Sequence, residues 1–111
     1  MQDGALQSIC RLPAAFTRGD QSLVELVQTS GVSKSGLEAA ALCNILATDQ
    51  SLVEAWLLWS ANKRVTSGWY FRRQAGGYVV GFHPNGERKV FDNGAAGCAA
   101  FIIQEVMPYA L

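Results

Sequence analysis

The sequence predicts an α+β fold: helices at the N-terminal end, a three-stranded antiparallel meander at about 68–91, and a C-terminal helix packed on the sheet. Three observations carry this. Before residue 67, apolar residues recur at helical spacing behind serine, aspartate and glutamate cap signals. From Gly68 on, aromatic and β-branched residues cluster in short runs separated by Gly-Gly and Asn-Gly. After Asp92 comes a stretch apolar on more than one side, as a helix buried against a sheet must be.

The helical half, 1–66, opens with residues 8–18, SICRLPAAFTR, where Pro13 is expected to interrupt a short helix by removing an amide donor. The hexapeptide DQSLVE then stands at 20–25 and again at 49–54. In each copy a serine precedes a glutamate by three residues, Ser22 and Glu25, Ser51 and Glu54. In such a capping box the hydroxyl accepts a first-turn N–H while the carboxylate accepts the serine's own. The flanks diverge, LVQTSGVS after one copy and AWLLWSAN after the other, so two helices that start alike explain the pair better than duplication or a ligand motif. The first runs from Ser22 to about Thr29 and stops at Gly31; Ser33 or Ser35 caps a helix over 36–47, with Leu37, Ala41, Leu42, Ile45 and Leu46 at helical spacing. The helix opened by Ser51 ends near Lys63 and Arg64, cations suited to its negative end.

The second half, 67–111, holds strands expected at 68–74, 77–82 and 87–91. Asp92 or Asn93 caps the last helix and Pro108 limits it. With 111 residues, half of them hydrophobic and 16% charged, the chain suits one domain with one core. Three scattered cysteines without CxxC spacing argue for free thiols and a cytoplasmic setting. The N-terminus lacks the basic region of a secretory signal, and AWLLW and CAAFII are too short to span a bilayer, so no membrane partner is expected.

Catalytic constellations are scarce. Cys98, His83 and Asp92 form the one conceivable nucleophilic trio, but Cys98 lies among alanines and reads as a small core residue. Gly94 and Gly97 lack the full phosphate-loop or dinucleotide pattern and read as close helix–sheet packing. Neither an enzyme nor a cofactor is expected.

The meander is chemically distinctive. Of nine Lys and Arg residues, Lys63, Arg64, Arg72, Arg73, Arg88 and Lys89 fall within 63–89, with Glu87 the sole acid there. Aromatic residues interleave with them, and Trp69, Tyr70 and Phe71 are consecutive, so strand alternation denies at least one of the three a buried place. Exposed Tyr and Trp beside Arg favour macromolecular contacts. The expected partner-binding residues are Trp69, Tyr70, Arg72, Arg73, Tyr78, His83, Arg88 and Lys89. A protein with acidic surface is the favoured partner. Single-stranded nucleic acid ranks lower, because net charge is zero and no RNP-type run is present. A homodimer through a sheet edge or through the Trp56–Trp59 segment is a further option.

Residues 68–106, GWYFRRQAGGYVVGFHPNGERKVFDNGAAGCAAFIIQEV, resemble the C-terminal half of small immunity proteins of bacterial secreted-toxin systems. The shared features are an aromatic strand, a G-Y-V-V-G strand, a polar hairpin ending in Phe-Asp, and a helix with cysteine among alanines before Phe-Ile. The resemblance implies a cytosolic, single-domain, stoichiometric inhibitor that covers the active site of a toxin encoded beside it. The basic patch points to a toxin with an acidic cleft. A phage-derived or regulatory adaptor for another host protein needs only the same kind of surface.

Overall fold

Caps and breakers divide the helical half. The computed structural model describes residues 2–18, 22–62, 68–83, 86 and 88–110. Helices α1 (Gln2–Cys10) and α2 (Leu12–Arg18) are separated at Arg11, whose carbonyl accepts from the amides of Ala14 and Ala15. The break falls just before Pro13, which sits in the first turn of α2, where a missing N–H costs no helical bond.

The two DQSLVE copies form different structures. In the first, Ser22 Oγ accepts from Glu25 N at 3.2 Å and Glu25 Oε1 accepts from Ser22 N at 3.0 Å, the expected box at the start of α3 (Leu23–Ser30). Gly31, at φ 77°, closes that helix in the left-handed region. In the second, the expected box between Ser51 and Glu54 does not form. Helix α5 (Gln50–Asn62) starts one residue earlier, and Asp49 Oδ1 accepts from Ser51 N at 3.0 Å and from Ser51 Oγ at 2.6 Å. Glu54 turns away instead, accepting from Gln50 Nε2 at 3.0 Å and from the Arg73 guanidinium. An aspartate two residues upstream and a cation on a neighbouring strand outcompete the local box. Lys63 and Arg64, expected at the end of α5, lie outside the described residues.

Ser33 caps a 3-10 turn at Lys34–Gly36, not a long helix; its Oγ accepts from Gly36 N at 3.1 Å. Helix α4 (Ala39–Ala47) therefore starts three residues later than its apolar spacing predicts, from Glu38, which makes no side-chain cap bond. Leu42 and Leu46 are buried, while Ala41 and Ile45 are half-buried.

Strands β1 (Gly68–Gln74), β2 (Gly77–His83) and β3 (Arg88–Phe91) pair antiparallel in the order β1-β2-β3, the predicted meander. Gly76, at φ 79°, supplies the left-handed residue of the first tight turn. Pro84 and Asn85 of the second turn lie outside the described residues, but Gly86 N donates to the Phe82 carbonyl at 2.8 Å. Asn93, rather than Asp92, caps α6 (Gly94–Val106): its Oδ1 accepts from Ala95 N at 2.8 Å and Ala96 N at 3.3 Å. Pro108 sits in a 3-10 turn directly after α6.

Helix α6 packs on one face of the sheet. A Cβ at Gly97 would stand 3.2 Å from the Phe71 ring, so the glycine permits close approach. Phe71 stacks between Phe101 at 5.7 Å and Tyr78 at 5.9 Å, and Phe101 meets Trp56 edge-on at 5.9 Å. The buried Trp56 indole donates to the Cys10 carbonyl at 3.0 Å. One continuous apolar cluster thus joins residues from α1 through α6. Among the described residues, no helix is long and apolar enough to cross a membrane.

Candidate functional site: the basic face and open edge of the meander

Strand register assigns every meander side chain to a face. Trp69, Phe71 and Arg73 oppose Phe82, Val80 and Tyr78 on the helix-covered face; Tyr70, Arg72 and Gln74 oppose Gly81, Val79 and Gly77 on the outer face. Phe71 is 1% exposed, while Trp69 and Tyr70 keep partial exposure on opposite sides. Consecutive rings on a strand must alternate, which is why three of them do not share one surface.

The outer face carries Tyr70, Arg72 and Arg88. The Tyr70 ring lies over Gly81: a Cβ there would stand 2.4 Å from its Oη and 2.6 Å from Cζ. The Arg72 guanidinium stands 4.8 Å from the centre of the same ring. Arg88, opposite Gly81 on β3, donates to Gln74 Oε1 at 2.9 Å. That bond runs diagonally across the face above Val79, which is 0% exposed although α6 lies on the other side.

The helix-side residues divide into structural and displayed ones. Arg73 pairs with Glu54 and so ties β1 to α5, and its guanidinium also stands 5.5 Å from the Tyr78 ring centre. Hydrogen bonds from Gln50 and then Arg73 hold the Glu54 carboxyl below its usual range. Tyr78 is clamped between Phe71 and Gly94, where a Cβ would stand 2.8 Å from its Cζ. Both residues are explained by packing. Trp69 sits edge-on to Phe82 at 5.2 Å and lines a groove of about 260 Å³ between β3 and α6, shared with Val80, Lys89, Phe91, Ala100 and Ile103. His83 ends β2 opposite Gly68. Its side chain lies outside what is described.

One edge of the sheet is covered and the other is open. Along β1, the Phe71 amide points outward and donates to Ser60 Oγ of α5 at 2.8 Å. Antiparallel pairs alternate between bonded and non-bonded. An outward Phe71 therefore turns the backbone groups of its partner Val80 toward β3, where Val80 meets Lys89. Lys89 and Phe91 are bonded to β2, and the N–H and C=O of Arg88 and Val90 point away from the sheet. No described backbone group takes them. Val90 is 67% exposed, and Arg88 and Lys89 are exposed beside it. Among the described residues the only ion pair is that of Arg73 with Glu54, so Arg72, Arg88 and Lys89 present their charge without an acidic partner.

The thiols carry a different message. Burial pushes the Cys98 thiol far above its ordinary range and Cys10 up to about 11, which keeps both protonated. Cys98 is 0% exposed within the apolar cluster, the small core residue its alanine neighbours predict. No cluster of three metal-ligating side chains occurs among the described residues.

A second exposed region lies elsewhere. Phe16 and Leu58, 42% and 62% exposed, line a groove of about 380 Å³ between α2 and α5 with Pro13 and Trp59. Among the described residues, none that lines it is charged. Trp56, expected to help pair two copies, is fully buried beneath it.

Sequence reasoning missed Val90 and Ile103, and it named a sheet edge for self-pairing without saying which edge is open. Strand alternation could have flagged Val90, but Ile103 comes to the site only through the docking of α6. Comparison of the chain with family models, curated proteins and solved structures finds no match.

Proposed function

We propose that this chain is a stoichiometric protein-binding domain that holds an acidic partner on the outer face and open edge of its meander. Its best-fitting role is that of an immunity protein covering the active site of a cognate toxin. The observation that carries this reading is the display of Arg72, Arg88 and Lys89, unpaired with any described acid, around the half-exposed rings of Trp69 and Tyr70. Cations of this kind steer an acidic surface into encounter, and rings beside them supply the short-range hold. A cytoplasmic setting suits the three free cysteines.

Single-stranded nucleic acid is the weaker partner. Base-stacking sheets use two or three neighbouring rings, whereas Tyr70 is the single Phe, Tyr or Trp that register places on the described outer face.

The test is co-expression with the proteins encoded on either side. The expected result is a one-to-one complex with a neighbour that is toxic when expressed alone. Combined Arg72→Glu, Arg88→Glu and Lys89→Glu substitution abolishes both protection and co-purification while the chain stays folded. A neighbour that binds through these residues yet is harmless makes the chain an adaptor. Binding that survives the triple substitution overturns the site.

A further inference from the structure

The geometry points to strand addition: the partner docks as a fourth, antiparallel strand along β3, through an extended segment in which two apolar residues precede two acidic ones. This deepens the reading above and rests on it. Three observations select that occupant. Arg88 and Val90 turn their backbone N–H and C=O outward with no described taker, an unfilled ladder of the kind that accepts another strand. The opposite edge is closed by Ser60 and α5. The strand itself is divided, Arg88 and Lys89 cationic, Val90 and Phe91 apolar.

Register then sets the motif. In an antiparallel fourth strand, the first apolar residue lies opposite Phe91 and enters the groove lined by Phe91 and Ile103. The second lies opposite Val90 on the outer face. The first acid reaches Lys89 on the groove side, and the second reaches Arg88 on the outer side. A second copy of this chain is the poorer occupant: its β3 brings cations, and cations on an edge strand oppose self-pairing.

The probe is the blocked peptide Ser-Ile-Val-Glu-Glu-Ser, titrated into the isotope-labelled chain and followed by amide NMR. The Arg88 and Val90 amide resonances are expected to shift and gain exchange protection, while those of Lys89 and Phe91, already bonded to β2, move little. The peptide with both Glu replaced by Lys is expected not to bind. Val90→Pro removes an outward donor without touching the β2 ladder. It weakens binding by roughly tenfold, the equivalent of one or two net backbone bonds. Joint Arg88→Glu and Lys89→Glu substitution inverts the preference toward the Lys peptide, a readout independent of whether the proline variant folds. Absence of binding at millimolar peptide, equal binding of both peptides, or a β3-mediated dimer seen by light scattering overturns strand addition. A neighbour-encoded partner that binds Val90→Pro with undiminished affinity but does not bind the Arg72, Arg88 and Lys89 triple variant leaves the broader surface standing and removes the strand.

Discussion

Replacing Gly81 by alanine tests whether the Tyr70 ring is held on the outer face as described. The new methyl would overlap the ring, 2.6 Å from Cζ and 2.9 Å from Cε2, so the half-exposed tyrosine must swing off the sheet. Removing about 60 Å² of ring contact costs about 1.5 kcal/mol at 25 cal/mol per Å². Losing the Arg72 contact at 4.8 Å adds about 0.5–1 kcal/mol at this exposure. Alanine recovers about 0.5–1 kcal/mol because it loses less backbone freedom than glycine on folding. The net destabilisation is about 1–2 kcal/mol. With an unfolding entropy of about 2.1 cal/mol/K per residue across 111 residues, Tm falls by roughly 4–9 °C. Urea and thermal denaturation of the four members of a double-mutant cycle with Tyr70→Ala measure the coupling. In the Tyr70→Ala background the obstacle is gone, and Gly81→Ala becomes neutral or stabilising. An equal cost in both backgrounds would refute the placement of the ring.

Other perturbations read other parts of the molecule. Trp56→Phe keeps an aromatic core but leaves the Cys10 carbonyl without its 3.0 Å donor, at a cost of about 1–3 kcal/mol in urea unfolding. Ser22→Ala removes the box of α3 and costs about 1 kcal/mol, whereas Ser51→Ala, in the identical hexapeptide, costs less than Asp49→Ala, because the aspartate is the acceptor there. Above pH 9, unfolded thiols at their ordinary 9.0 release protons that buried Cys10 and Cys98 retain. Each raised pKa therefore contributes stability fully present below pH 9 and lost as pH rises, by up to about 1.4 kcal/mol per pH unit for each thiol. The urea midpoint is expected to fall between pH 9 and 11, and Cys98→Ala to reduce that slope; an unchanged slope contradicts the burial of this thiol.

The meander was legible because three local signals coincide: aromatic and β-branched runs, glycine pairs, and turn residues between them. The strands fall within a residue of their predicted bounds. Helix α6 was legible because a helix apolar on more than one side must be buried in the core, here between the sheet and α4. The second DQSLVE copy was not, since its outcome depends on Arg73 reaching Glu54 from β1, a contact between residues 19 apart in sequence. The site was legible by composition and not by geometry. Charge and aromatic density marked 68–89, but alternation splits the expected residues: Tyr70, Arg72 and Arg88 share the outer face, Trp69 and Lys89 the groove, and Arg73 and Tyr78 serve packing. The open edge depends on α5 closing the opposite side, a tertiary fact with no local sequence signal.

The most direct measurement compares amide exchange in the free chain with that in its complex with a neighbour-encoded partner, at single-residue resolution. Protection is predicted at Arg88 and Val90, with Lys89 and Phe91 unchanged and the α2–α5 groove unaffected. Protection confined to the Phe16 and Leu58 groove, with β3 exchanging as before, would contradict the assignment of the meander as the binding surface.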